Sequence, residues 1–254
     1  MTNTPITIIS TEEDAWALLE QWVNKQPINE VEFVNWPVLQ INIKGEDYNS
    51  SLNSSQMAAL VNFKKTIGRA YSTIAHGTYD MRRLKAEEEE QLEFSTHINQ
   101  GSSLTDTDLT PLVQALASVV STHQNASLAA GVIIGLALVA RPVILKHYEI
   151  RAKQIDVDER ARLLDLSLTS LEKKQYTLFE TALAKLEKIY PQISKAIPDA
   201  AAGFWKFASA SSNADKMSIS GIELSQEDLE ILSERRQNRP TDISEIEEGV
   251  RNFV

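Results

Sequence analysis

The stretch LAAGVIIGLALVARPVIL, Leu128 to Leu145, is apolar apart from Arg141 and is set in a chain that is otherwise rich in charge. An uncharged region opens earlier, at Leu109, and runs to Ala140. An apolar run of about 18 residues is long enough to cross a bilayer, whereas one of about 10 to 14 more often forms a buried core helix. The segment therefore has two readings, a membrane-inserting helix or the core of a helical bundle.

Gly131 and Gly135 stand four apart, a small-xxx-small spacing that lets two helices approach closely in lipid. In the membrane reading Gly131 and Gly135 pack, while Val132, Ile133, Ile134, Leu136 and Leu138 form the membrane or pore surface. Arg141 then either snorkels to the headgroups, together with Lys146, His147, Arg151 and Lys153, or lines an ion path at the mouth. Topology argues against a simple single span. No Lys or Arg lies between Lys85 and Arg141, but six follow from Arg141 to Arg162, so positive-inside logic places the C-terminal side in the cytoplasm and would export the N-terminal part. Met1 to Glu20 has no signal-peptide pattern, which conflicts with export. Either Thr110 to Thr122 forms a first hairpin arm, or the apolar helix shelters in an oligomer until a switch releases it.

A chain of 254 residues with 43% hydrophobic and 24% charged residues is expected to fold. Its formal charge of -10 excludes a surface that coats nucleic acid throughout, so any anion site must be local. With no cysteine there are no disulfides, thiolate metal sites or cysteine nucleophiles, which fits a reducing cytosol.

Thr11 ahead of Glu12, Glu13 and Asp14 predicts an N-capped helix that ends before Pro27. From Glu30 to Leu52 the period becomes two. Leu39, Ile41 and Ile43 alternate with Gln40, Asn42 and Lys44, and Gly45 predicts a hairpin returning through Tyr48, Ser50 and Leu52. Ser54 or Ser55 is expected to cap a helix with a stripe of Met57, Leu60, Val61, Ile67, Tyr71 and Ile74, stopped by Gly77. A second hairpin is expected over Gln91 to Asp108, turning at Gly101. Beyond residue 109 the pattern reads as helical. Val157, Ala161, Leu164, Leu168, Leu171, Leu178, Ala182, Leu186 and Ile189 form a heptad-like seam, which suggests self-association, or else one long helix packed on its own domain. The expected fold class is thus an α+β N-terminal domain, residues 1–108, followed by an all-α region. That region comprises the apolar segment 109–148, a long amphipathic oligomerisation region 149–215, and a C-terminal segment 216–254 whose weak Ser225/Asp228 capping signal assigns no role.

Catalytic motifs are scarce. The four histidines have no i to i+4 partner, no H-E-x-x-H, G-x-S-x-G or phosphate-binding glycine loop is present, and Asp156-Val-Asp158 lacks the glycine and glutamate of a calcium loop. We expect no enzyme, metal or cofactor. Asn62 to Lys85 carries Lys64, Lys65, Arg69, Arg82, Arg83 and Lys85 against the single acid Asp80, and Ala86 to Asp108 is strongly acidic. On a helix Lys65, Arg69, Ser72 and His76 share a face that could hold phosphates, with Trp36, Tyr48, Tyr71 and Tyr79 available to stack bases. The candidate ligand residues are Trp36, Lys64, Lys65, Arg69, Tyr71, His76, Arg82 and Arg83. The alternative is that the basic helix pairs with Glu87 to Glu93 or faces solvent. Lys64 falls on the apolar stripe itself.

The order of a Trp36-Pro37-x-Leu39-x-Ile41-x-Ile43-x-Gly45 strand, a helix bearing Arg69-Ala70-Tyr71, a Gly101-Ser102-Ser103 turn, an apolar helix and an amphipathic one resembles the Hailong-type membrane effectors of bacterial antiphage defence. The resemblance covers roughly residues 30–190. It implies a tetrameric transmembrane channel at the bacterial inner membrane with cytoplasmic domains. It also implies a partner nucleotidyltransferase whose single-stranded DNA oligomers hold the channel closed. A soluble helical scaffold or adaptor, with the apolar helix as core, is the competing expectation.

Overall fold

The computed structural model describes residues 6–45, 51–98, 103–119, 123–138, 144, 156–220 and 222–230. The molecule is mixed α/β. The chain enters through a βαβ unit in which β1 (Ile6–Ile9) and β2 (Glu30–Phe33) run parallel, joined by α1 (Glu12–Val23). Thr11 caps α1 in a reciprocal box with Asp14, as its sequence predicts. Ala15, Trp16, Leu18 and Leu19 are buried from this helix and join Ile9 and Phe33 in the core.

The hairpin expected from Glu30 to Leu52 is replaced by two separate pairings. β2 pairs with β1, while β3 (Val38–Lys44) is the central strand of a five-stranded antiparallel sheet ordered β4 (Thr96–Ile98), β5 (Ser103–Asp108), β3, β6 (Lys216–Ile219), β7 (Ile222–Ser225). Over Ile41–Ile43 β3 is bonded to β5 on one edge and β6 on the other, so no edge remains there for a return strand. Leu52 lies outside any strand, and Tyr48 and Ser50 fall outside the described residues. Alternation identified a half-buried strand correctly, but it carries no information about the partner.

The second hairpin forms between β4 and β5, with Thr96 opposite Thr107 and Ile98 opposite Thr105; its expected turn glycine, Gly101, is outside the described residues. Its first strand begins later than the expected Gln91: that residue ends helix α3 (Ala86–Gln91), Leu92 and Phe94 lie outside any strand, and β4 opens at Thr96. The expectation that everything past residue 109 is helical fails at β6 and β7. These strands come from the C-terminal part of the chain, yet they complete the sheet begun by β3, so residues 216–225 have a structural role. The Ser225/Asp228 signal is real: the Asp228 carboxylate accepts from the Ser225 amide at 2.9 Å and hydroxyl at 2.7 Å, at the head of a helical turn over 226–230.

Leu39, Ile41, Ile43, Thr105, Thr107, Met217, Ile219 and Leu224 are buried, forming the sheet's inner face, while Gln40 and Lys44 are exposed on the other. Helices α2 (Ser54–His76) and α8 (Ile193–Ser209) pack on each other, and Ala59, Phe63 and Phe207 meet Leu39, Ile41 and Ile219. Asn53, one residue before the predicted cap, starts α2 through a reciprocal box with Gln56, and Gly77 ends it at φ 68°. Of the expected stripe, Met57 and Val61 are exposed; Ala59, Phe63, Ile67, Ala70, Tyr71 and Ile74 are the buried face. Gln56 is buried too, its amide donating to Ser211 Oγ at 2.8 Å, which ties the start of α2 to the end of α8.

The apolar segment becomes α5 (Gln124–Leu138), reached through α4 (Thr110–Ser118), and both lie in the core. Val132, Ile133, Ile134, Leu136 and Leu138 are fully buried, and α5 packs on α1, α4, α8 and α7 (Ser170–Ile189). The two glycines have intrachain partners. A Cβ on Gly131 would meet the Val113 carbonyl oxygen at 3.1 Å and the Ala117 nitrogen at 3.2 Å, and Gly135 faces Trp36. Among the described residues no helix is long and apolar enough to cross a membrane. Arg141 lies outside them.

Within the amphipathic region 149–215 the long helix expected along the Val157 to Ile189 seam is two helices, α6 (Val157–Ser167) and α7, and α8 follows. Thr169 breaks the first junction by capping α7 in a box with Glu172, so the heptad seam is interrupted. Leu171 is 65% exposed, and the buried face of α7 is Tyr176, Phe179, Ala182, Leu183 and Leu186. Trp16 meets Phe179 edge-on at 6.4 Å, fixing α7 against α1.

Candidate functional site

Of the predicted ligand residues, Lys64, Lys65, Arg69, Tyr71 and His76 lie on α2, and Arg82 and Arg83 lie in a 3-10 turn, Met81–Arg83, just beyond its Gly77 stop. The geometry sorts them. Lys64 pairs with Glu93, which explains how a cation sits beside the apolar stripe. His76 Nε2 meets Glu88 Oε2 at 3.0 Å. Burial acts to raise the Glu88 carboxyl, but the Lys85 amide and the His76 contact outweigh it and hold it below its ordinary value. Glu88 also presses on Tyr71: burial first, then this carboxylate, raises the Tyr71 phenol.

Arg69 is held by an aromatic contact. Its guanidinium carbon lies 5.7 Å from the centroid of the Tyr79 ring. The Tyr79 hydroxyl donates to Asp199 on α8, and its amide donates to Gln192 Oε1 at 2.9 Å. Burial, followed by the hydrogen bond and charge of Asp199, pushes the Tyr79 phenol far above its usual range. Ser72, expected on the phosphate-holding face, is buried and donates to the Asp80 carbonyl at 2.9 Å. Arg69, Ser72, Tyr79 and Asp80 thus lock the turn after α2 onto the helix pair.

What remains on the surface is a shorter array. Lys65, Arg82, Arg83 and Lys85 are exposed. Arg82 forks onto Asp80, with Nη2 to Oδ2 at 2.8 Å and Nε to Oδ1 at 3.1 Å; that hydrogen bonding lowers the Asp80 carboxyl to about 2. Arg82 is therefore neutralised but pre-oriented. Among the described residues Lys65 and Arg83 have no carboxylate within ion-pair distance, so a cationic balance survives here despite the acidic segment that follows. Lys85 and Asp80 belong to this site although they were not among the eight ligand candidates; the six-cation run from Lys64 to Lys85 was the available signal for the first. Tyr79, expected as a base-stacking ring, instead holds Arg69 and donates to Asp199.

Trp36 stands elsewhere. It is 6% exposed, its ring stacks on Phe33 with centroids 6.1 Å apart and planes 18° apart, and it covers Gly135. Tyr71 is likewise buried, so neither ring offers a free face for a base. Among the described residues no cluster of His, Asp and Glu could hold a metal ion. Comparison with family models, curated proteins and solved structures finds no match for this chain.

Proposed function

We propose that this chain is a non-enzymatic binding protein that takes an anionic ligand on the cations of α2 and of the turn that follows it, Lys65, Arg82, Arg83 and Lys85, and that its apolar helix is stored in its own core in the resting form. The observation that carries this reading is the set of exposed cations: among the described residues Lys65 on α2 and Arg83 in the turn have no carboxylate partner, and Arg82, next to Arg83, is a fork already oriented by Asp80, in a protein of net charge -10. Phosphates are the natural occupants of such an array. A short single-stranded DNA oligomer is the ligand that the Hailong-type resemblance adds.

In the fuller form of the proposal the protein is an antiphage effector, a homo-oligomer such as a tetramer. Its ligand, made by a partner nucleotidyltransferase, favours the closed assembly, and loss of ligand frees the apolar segment to act as a channel at the inner membrane. Energetics constrain that step. Exposing Val132, Ile133, Ile134, Leu136 and Leu138 would cost about 1.5–3 kcal/mol each, a total comparable with the roughly 5–15 kcal/mol stability of a whole domain. Release into water is therefore equivalent to unfolding. A membrane state must be a different packing of the chain, stabilised by lipid or by other copies as it forms.

A second reading has its own observation in favour. α5 is enclosed by α1, α4, α7 and α8, as in a scaffold or adaptor whose apolar helix never leaves the core. The test has two arms. Lys65→Glu with Arg83→Glu should weaken binding of a fluorescent single-stranded DNA oligomer at least tenfold at low salt, with Lys188→Glu as an unaffected control. Unchanged affinity would refute the ligand site. Co-sedimentation with anionic liposomes on ligand removal favours the effector; monodisperse protein that ignores them favours the scaffold.

A further inference from the structure

A different surface lies at the opposite end of the sequence from β6 and β7, on the β1/β2 pair. In the β1/β2 pair, Ile9 and Phe33 point into the core against α1. Side chains alternate along a strand, so Thr7 and Val31 share that inner face and the alternate positions face outward. There Ile6 and Ile8 are 53% and 57% exposed, and the parallel register sets Glu30 beside Ile6 and Glu32 beside Ile8, both glutamates exposed. The outer face is a two-by-two block of isoleucine and carboxylate.

The two edges of this small sheet differ. On the far side of β2 the Phe33 amide donates to Gln114 Oε1 of α4 at 3.2 Å, so that edge is closed by a side chain. Among the described residues β1 has no strand neighbour other than β2. Ile9 gives its carbonyl to the Val34 amide on the β2 side, so by alternation the peptide groups of Ile6 and Ile8 point toward the open edge. Two strands alone make a marginal sheet, and an open edge is a template for a third.

Charge selects the occupant. From Ile6 to Pro37 the acids are Glu12, Glu13, Asp14, Glu20, Glu30 and Glu32, against Lys25 alone. A strand added at β1 would lie about 4.8 Å from β1 and about 10 Å from β2. A Lys or Arg on its outward face spans that gap: its methylene stem covers Ile6 or Ile8 while its charged head reaches Glu30 or Glu32. We propose that β1 is a docking edge for an extended segment of a partner protein with Lys or Arg at every second position, bound by strand addition.

The probe is a fluorescein-labelled ten-residue peptide alternating lysine with valine, read by anisotropy against the full chain. Binding is expected to weaken at least tenfold in Glu30→Lys with Glu32→Lys, and severalfold in Ile6→Thr with Ile8→Thr. The same net charge change placed on α3, Glu89→Lys with Glu90→Lys, should leave it within about twofold. Amide hydrogen exchange should show protection at Ile6 and Ile8 when peptide is present, a readout independent of net charge. Equal weakening by the two lysine pairs, or no protection at Ile6 and Ile8, would overturn the proposal. A Glu30/Glu32 variant that no longer folds is replaced by Glu30→Gln with Glu32→Gln, for which the same loss is expected.

Discussion

The indole of Trp36 lies against Gly135 so closely that a Cβ at residue 135 would fall 2.8 Å from Cη2 and 2.9 Å from Cζ3. Because the Trp36 ring is itself stacked on Phe33, it cannot simply swing away. Gly135→Ala should therefore destabilise the protein by about 1–3 kcal/mol through overpacking, outweighing the roughly 1 kcal/mol gain in helix propensity. Urea denaturation checks this. A stabilised variant would mean that Gly135 does not face Trp36.

Gly131→Ala tests the same packing one turn earlier. Its Cβ would press on backbone atoms of α4, the Val113 oxygen and the Ala117 nitrogen, so α4 must shift as a unit. A midpoint below wild type, with the slope unchanged, is the expected outcome.

Tyr79→Phe removes the hydroxyl that donates to Asp199 and leaves that carboxylate short of a partner. Hydrogen bonds to charged groups contribute roughly 1.5–3 kcal/mol, and the half-buried site argues for the lower end. Thermal melting should shift downward. The phenol, raised by burial and by Asp199, should also be missing from the ordinary tyrosine step of a spectrophotometric alkaline titration of the folded protein.

Acid should weaken the fold through its helix caps. Asp14 is held below its ordinary value first by the Ser10 amide, Glu172 by the Thr169 hydroxyl and Asp228 by the Ser225 hydroxyl. A carboxyl depressed in the folded state contributes stability above its unfolded value, and that contribution is lost as pH falls through the folded one. The melting temperature should hold near neutral pH and drop below about pH 4. Asp14→Asn with Glu172→Gln should flatten that acid limb; an unchanged limb would place the acid sensitivity elsewhere.

Local signals in this chain were legible wherever the physics is local. Thr11 with Asp14, Gly77, the Thr96/Thr107 hairpin and Ser225 with Asp228 each depend on residues within a few positions or one turn. The same holds for the cation run of α2 and its turn, since charge can be read directly from the side chains. Heptad spacing misled over 157–189 because apolar periodicity does not register a strong cap, and Thr169 provides one.

Elements with short-range causes were readable from the residues alone, which also marked 128–145 as the chain's most apolar stretch. What covers that stretch as far as Leu138, which strands flank β3 and which cations are already paired emerge only in the folded chain. Each of those outcomes joins residues far apart in the chain: Trp36 to Gly135, Asn42 to Ser218, Gln56 to Ser211, Tyr79 to Asp199. The physical reason is that burial and pairing are satisfied by any chemically suitable partner that the fold brings near, so composition and period state the need without naming who meets it.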